Sequence, residues 1–232
     1  MNDSSGGASP RPEDARLDDG QSALVRLWQR RRGARRWPAR AEFDPADFRD
    51  VIGRVALIDV DHGSPDGAPP VLRYRLFGTW LVHEIGQDLT GLTVDALELD
   101  WQRDMVHRIY GRLLAGGEPV AALRRQVGTE RTMGHVLVAL PLGGDRIDMI
   151  LTAYAPLPST PPDWRGPWQA GERYALHQWV FEVGDDGTLP AAPFAHDGVM
   201  LGAADEPKRG SPVPGATGVP ACRVRVRPSR RL

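Results

Sequence analysis

The chain has 232 residues, of which 41% are hydrophobic and 25% charged, and its formal net charge at pH 7 is −1. This length predicts one globular domain with tails, or two small domains. The near-zero net charge provides no global field that would attract nucleic acid or a membrane surface. A single cysteine, Cys222, excludes an internal disulfide and a cysteine-based zinc site, which is typical of a reducing cytoplasm.

The N-terminal residues 1–21 are polar and acidic, with the composition of a disordered tail and not of a signal peptide. No apolar run approaches the roughly 20 residues that span a bilayer. We therefore expect a cytoplasmic protein without membrane insertion.

From residue 22, "SALVRLWQRRRGARRWPAR" predicts an amphipathic helix, with Leu24, Leu27 and Trp28 on one face and arginines on the other. Arginines interleaved with tryptophans are also found at nucleic-acid interfaces. Acidic residues follow directly between positions 42 and 50, so we favour a solvated helix face with intramolecular ion pairs over nucleic-acid binding.

The segment "EFDPADFRDVIG" predicts a short helix. Asp44 suits the N-cap and Pro45 the first helical position. Phe43 and Phe48 are spaced to form a hydrophobic staple, and Gly53 closes the element.

Five strands are predicted downstream, with one longer helix between the second and the third. The helix spans residues 101–115, and the last two strands are joined by a Gly143-Gly144-Asp145 turn. Between the second strand and the helix, "FGTWLVHEIGQDLTGLTVDAL" is interrupted by three glycines. Because the order contains no strand–helix–strand alternation, we predict an α+β fold with an antiparallel sheet and helices on one face. The predicted strands span residues 54–61, 71–78, 119–129, 132–142 and 146–157.

The character of the sequence changes at residue 158. We predict an aromatic and proline-rich extension over residues 158–187, in which "YALHQWVFEVGDDG" is compatible with one more strand and a turn. Residues 188–232 are rich in Pro, Gly, Ala and charge, and we expect them to be disordered. The folded domain is predicted to span residues 22–157.

Four segments resemble PAS domains, specifically a bacterial subfamily of mostly single, stand-alone PAS modules. They are "LWQRRRGARRWPARAEFDP" (27–45), "ALIDV" (56–60), "RYRLFGTWLVHEIGQDLTG" (73–91) and "DMILTAYAPL" (148–157). The resemblance implies the PAS fold: a five-stranded antiparallel sheet with short helices and one longer helix over one face. It also implies that the glycine-interrupted segment walls a small cavity against the sheet. The N-terminal helix would pack on the sheet or on a second copy in a homodimer, as is common in PAS modules.

On this reading, an apolar group of residues forms the candidate ligand cavity between the sheet and residues 79–97. Ordinary core packing is the alternative explanation for each member taken singly. The candidates are Tyr74, Leu76, Leu81, Ile85, Leu89, Met105, Ile109, Val138 and Met149.

No cofactor is predicted. A haem needs an axial ligand, usually histidine, inside the cavity, and helical and strand periodicity predicts that His83, His107 and His135 face away from it. A photochemical flavin or a covalently bound bilin or coumarate requires a cysteine within the domain. An unidentified small ligand remains compatible with the sequence.

No enzyme is predicted either, because the sequence contains no phosphate-binding glycine loop, nucleophile elbow or zinc-protease motif. Asp59 and Asp61 are a pair of carboxylates, but we favour simple solvation at a strand end. "GDDG" (184–187) is more typical of a turn than of a metal loop.

We therefore expect a non-enzymatic sensory or regulatory module that signals to an unknown protein by direct contact and is gated by a small ligand. A ligand-free interaction adaptor is the alternative, and an uncharacterised enzyme is the least favoured reading.

Overall fold

A computed structural model describes residues 15–63, 69–97, 100–128, 132–157 and 174–201. Their core is a single antiparallel sheet of seven strands in the order β2-β1-β5-β4-β3-β6-β7. The strands are β1 (Val55–Asp61), β2 (Val71–Phe77), β3 (Val120–Gly128), β4 (Thr132–Gly143), β5 (Ile147–Pro156), β6 (Tyr174–Glu182) and β7 (Ala195–Leu201).

The first five strands are the five that the sequence predicts, and the fold is α+β as expected. β6 and β7 extend this sheet by two strands. β6 pairs with β3 over its whole length, from Val120 opposite Glu182 to Gly128 opposite Tyr174. Its other edge would leave backbone donors and acceptors unpaired, and β7 pairs with that edge. The expectation of disorder after residue 188 therefore does not hold for residues 195–201, while residues 202–232, Cys222 included, lie outside the described part of the chain.

Three α-helices accompany the sheet: α1 (Asp19–Arg32), α2 (Thr79–Ile85) and α3 (Asp100–Gly116). α1 begins three residues before the predicted start because Asp18 and Gln21 form a capping box. The backbone N–H of Gln21 donates to Asp18 Oδ1 at 2.7 Å, and the backbone N–H of Asp18 donates to Gln21 Oε1 at 3.1 Å. Two backbone donors of the first turn are satisfied in this way.

The apolar face of α1 packs on the sheet of its own chain. Leu24 and Trp28 are buried, and Leu27 packs against the same core. Trp28 Nε1 donates to the Pro141 carbonyl at 2.8 Å, and buried Gln21 donates to the carbonyl of Ala153 at 2.9 Å. The sequence predicted that this helix face packs either on the sheet or on a second copy of the chain. In the structure it packs on the sheet.

The short α2 and the longer α3 lie over the same face of the sheet, as the sequence predicted, and α1, for which no face was predicted, lies over the other. Ala15 and Leu17, immediately before α1, pack against a cluster that contains Val136 and Phe181. On the opposite face, Gln178 Nε2 donates to the carbonyl of Met105 on α3 at 3.3 Å. The central strands are consequently buried on both sides.

The arginine-rich segment after α1 makes intramolecular contacts, as the sequence predicted. Arg35 pairs with Glu42 at 2.6 Å, and Arg31 with Asp47 at 3.4 Å. The hydrogen bond from Arg35, followed by one from the Ala39 amide, lowers the pKa of Glu42 to about 2.

The predicted short helix is a 3₁₀ helix, Pro45–Phe48. Asp44 is its N-cap, accepting a hydrogen bond from the Ala46 amide at 2.9 Å. The rings of Phe43 and Phe48 stack with centroids 6.2 Å apart, which confirms the predicted staple.

Candidate functional site

A cavity of about 100 Å³ lies between the sheet, the glycine-interrupted segment and α3. The sheet contributes the polar side chains of β3, β4 and β5, and most of the residues contributed by the glycine-interrupted segment and α3 are apolar. The lining residues that the discussion below uses are Tyr74, Phe77, Leu81, Glu84, Ile85, Leu89, Leu97, Trp101, Val106, Arg124, His135 and Tyr154.

Two glycines show how the chain wraps around this cavity. Gly86 ends α2 in the left-handed region, with φ of +81°, and its amide donates to the Val82 carbonyl at 2.8 Å. Gly91 has φ of +84° and donates to the carbonyl of Tyr74 at 2.6 Å, which returns the chain to β2. Both conformations favour glycine.

Four of the nine residues predicted from sequence line this cavity: Tyr74, Leu81, Ile85 and Leu89. Ile85 is 40% exposed and lies at the rim. The other five predicted residues do not line it. They are Leu76, Met105, Ile109, Val138 and Met149.

Leu76 is displaced from the cavity by a β-bulge. The pairing of β1 with β2 shifts register between Leu57 and Ile58, so that Leu57 pairs with Leu76 and Ile58 with Tyr74. The extra residue breaks the alternation of sides along β2. Phe77 therefore lines the cavity, while Leu76 is 41% exposed and borders a groove elsewhere on the molecule.

The other four predicted residues are buried away from the cavity. Val138 pairs with Ala153 on the face that α1 covers, and the cavity lies on the other face. Met105, Ile109 and Met149 are buried in ordinary core packing. Trp101 and Val106 are the α3 residues in the lining that sequence reasoning missed.

His135 corrects a sequence prediction. Its strand neighbour Val136 faces α1, so alternation along β4 turns His135 towards the cavity and not towards solvent. The prediction failed because the more apolar face of β4 was taken as the only buried one. His83 is exposed, and His107 lies near Asp95 with 2.9 Å between Nε2 and Oδ1, so these two face away as expected.

Arg124 is a buried cation on β3, 9% exposed, and lines the cavity. Its Nε and Nη2 donate to Gln178 Oε1 at 3.2 and 2.7 Å. No carboxylate among the described residues forms an ion pair with it, and burial lowers its pKa. An arginine remains protonated in any protein environment, so the cavity wall carries a positive charge.

Three tyrosine hydroxyls surround this charge, those of Tyr74, Tyr110 and Tyr154. Burial raises the pKa of Tyr74 and of Tyr110 well above the ordinary value. These two phenols are therefore neutral at pH 7 and do not compensate the charge of Arg124.

Within the described part of the chain, two buried nitrogen atoms on cavity-lining residues have no hydrogen-bond partner: Trp101 Nε1 and His135 Nε2. Such atoms are uncommon in folded proteins because each forfeits its hydrogen bonds to water. An occupant of the cavity can satisfy them.

Glu84 is the carboxylate in the lining. It is half-buried, and burial raises its pKa to about 7. At neutral pH this group is therefore close to half-protonated, unlike an ordinary surface glutamate.

His135 predicts a dependence of stability on pH. Burial, reinforced by the charge of Arg124, lowers its pKa to about 3 from the ordinary 6.5. Below pH 6.5 the unfolded chain takes up a proton at this residue and the folded chain does not, so this stability contribution is complete above pH 6.5 and is lost towards pH 3. In urea titrations, the stability advantage of wild type over His135→Phe should shrink by about 1.4 kcal/mol for each pH unit below 6.5. His83→Gln, at an exposed site, is the control, and parallel curves for wild type and His135→Phe would refute the assignment.

The acidic residues outside the cavity have structural partners. Asp59 lies 3.2 Å from Arg75, Asp61 accepts from the Gly63 amide at 2.9 Å, and Asp186 accepts from the Thr188 hydroxyl at 2.7 Å. Within the described ranges, no group of three or more His, Cys, Asp or Glu is arranged to hold a metal ion.

In the same part of the chain, no helix is both long and apolar enough to span a bilayer.

The element order, the antiparallel sheet and the cavity under a glycine-interrupted segment all match the fold that the sequence resemblance implied. Searches of curated proteins and of solved structures find no match to this chain. A family model described as "PAS domain" matches residues 18–152, which is more than half of the chain. The chain therefore belongs to the PAS domain family.

Proposed function

We propose that this protein is a sensory module in which a small molecule bound in the cavity alters contact with a partner protein. PAS domains are in general sensory and signalling modules. The observation that carries the proposal is a pair of buried nitrogen atoms in the cavity lining, Trp101 Nε1 and His135 Nε2, which have no hydrogen-bond partner among the described residues. In a core filled by side chains alone, nearly all buried polar atoms have hydrogen-bond partners.

Phe77 offers a route from the cavity to the surface. It lines the cavity and also a groove of about 380 Å³, which is bordered by Leu76 and by Ile52, an isoleucine that is 73% exposed. α2 begins two residues after Phe77, so a ligand that shifts Phe77 changes both the start of this helix and the wall of the groove. Such a ligand would act by stabilising one of two arrangements.

In this proposal the protein has no catalytic activity of its own, and the signal leaves by protein–protein contact. A homodimer is one form that this contact can take. It would need a surface other than Leu24 and Trp28, which the sheet covers.

A ligand-free adaptor is the second candidate, and the groove favours it. Ile52 and Leu76 expose apolar surface beside Phe48 without any ligand being required. In this alternative the cavity would be a packing defect, and the groove would bind a partner protein whether or not a ligand is present.

Native mass spectrometry of protein purified gently from its own host, with an absorption spectrum, separates these candidates. We expect a mass above that of the bare chain which is lost on denaturation. Leu81→Phe, which adds volume inside the cavity, should remove the added mass. Leu76→Phe makes the same change outside the cavity and should retain it.

A bare chain mass in the wild-type protein would favour the adaptor. An added mass that survives Leu81→Phe would place the bound molecule elsewhere. A visible band from a large pigment would also contradict the proposal, because sites for drug-sized ligands measure about 300–1,000 Å³ and this cavity is far smaller.

A further inference from the structure

The chemical class of the cavity ligand follows from Arg124, provided that the proposed function is right and the cavity takes a ligand. The guanidinium is buried beside the amide of Gln178 and the neutral hydroxyls of Tyr74 and Tyr110. A buried charge without a counter-ion is strongly unfavourable. An anion in the cavity would remove that cost.

The neighbouring groups are suited to an anion. Trp101 Nε1 carries a hydrogen and can only donate. His135 is neutral at pH 7, because its pKa is held near 3, and it can donate from Nε2 in one tautomer. Together with Arg124, these residues place up to three kinds of N–H donor in the lining of one cavity.

The lining also has a large apolar part. Phe77, Leu81, Leu89 and Leu97 belong to it, and none of them can bond to a polar group of a ligand. A second charged group placed against these four side chains, as in inorganic phosphate or a dicarboxylate, would leave its oxygens unsatisfied. A ligand with one anionic group and a hydrocarbon part fits this mixed lining.

The volume limits the length of the ligand. A cavity of about 150 Å³ holds benzene, which has six non-hydrogen atoms, so one of about 100 Å³ encloses roughly four. The open rim at Ile85 leaves room for one or two more. Arginine pairs with a carboxylate through two parallel hydrogen bonds, a geometry that its planar fork favours.

We propose that the cavity binds a short-chain monocarboxylate, of about three or four carbons by the volume argument, whose carboxylate pairs with Arg124 and whose hydrocarbon end lies among Phe77, Leu81, Leu89 and Leu97. Glu84, the carboxylate at the rim, is partly protonated near pH 7 and does not exclude such a ligand.

Isothermal titration calorimetry of the full chain tests this with butyrate against its neutral counterpart butanamide. Butyrate should bind and butanamide should bind at least tenfold more weakly. Affinity should rise about fourfold from propionate to butyrate, because one methylene group is buried, and should fall for hexanoate, which exceeds the volume. Inorganic phosphate should not compete.

Arg124→Gln should abolish butyrate binding, whereas Arg75→Gln, at an exposed arginine paired with Asp59, should leave it unchanged. Trp101→Phe keeps an aromatic ring at this position and removes the N–H donor, so it should weaken binding severalfold even if Arg124→Gln fails to fold.

Equal binding of butyrate and butanamide, unaltered binding in Trp101→Phe and Arg124→Gln, or no binding of any short carboxylate would each overturn the proposal. These results are distinct from failure of the proposed function. If the proposed function itself fails, the host-purified protein has the mass of the bare chain, and neither the anionic butyrate nor the neutral butanamide binds. A neutral molecule found in the host-purified protein would leave the sensor intact and refute only the carboxylate.

Discussion

Replacing Trp28 with alanine should lower the free energy of unfolding by about 3–5 kcal/mol, the usual cost of truncating a large buried aromatic side chain. Trp28 has no exposed surface and donates from Nε1 to the Pro141 carbonyl at 2.8 Å. Its truncation removes both the packing of α1 on the sheet and the partner of a buried carbonyl. Urea denaturation monitored by circular dichroism measures the change.

Arg30→Ala is the matched control, since Arg30 is exposed on the same helix and its loss should change stability by less than about 0.5 kcal/mol. If Trp28→Ala cost no more than Arg30→Ala, α1 would not be part of the folded unit. The helix would then be free to pack on another molecule.

Gly78→Ala should destabilise the domain by about 3 kcal/mol, at the upper end of the usual range for overpacking. A Cβ at this position would lie 2.3 Å from the Gly53 carbonyl oxygen and 2.8 Å from that of Val55. Both are backbone atoms, so no side-chain rotation relieves the clash. The Gly78 amide also donates to the Val55 carbonyl at 2.9 Å, which ties this junction to β1.

We expect Gly111→Ala to have the opposite effect on stability. Gly111 lies within α3 with no atom near the position of an added Cβ. Alanine should therefore stabilise the helix by about 0.5–1 kcal/mol through its better helix propensity. Thermal unfolding of the two variants should shift in opposite directions, and a neutral Gly78→Ala would show that the junction between β2 and α2 relaxes freely.

Much of the fold was predictable because it depends on local signals. The N-cap at Asp44, the staple of Phe43 on Phe48 and the turn at residues 143–145 each involve only neighbours in sequence. The five predicted strands are likewise found in β1 to β5. β7 was missed because its segment begins with Ala-His-Asp-Gly, which gives little strand signal, and because its pairing partner β6 is itself an addition to the predicted sheet.

The candidate site was only partly predictable. Tyr74, Leu81, Ile85 and Leu89 were found because they are apolar residues in a segment that resembles a PAS cavity wall. Arg124 and His135 were missed because the search for lining residues followed apolar periodicity. When a strand is buried on both sides, its polar side chains can point to a buried face. Their polarity then does not show that this face is exposed to solvent.

The bulge in β2 has a consequence for comparing this cavity with those of other PAS domains. Whether a leucine or a phenylalanine borders the ligand space is decided here by one additional backbone residue and not by the identity of either side chain. In a relative whose β2 pairs without the bulge over the same number of residues, the residue aligned with Leu76 would point inwards and the residue aligned with Phe77 outwards. Specificity can therefore diverge through a change in strand pairing that leaves every cavity residue type unchanged, and cavity residues should be matched by strand pairing, not by alignment column.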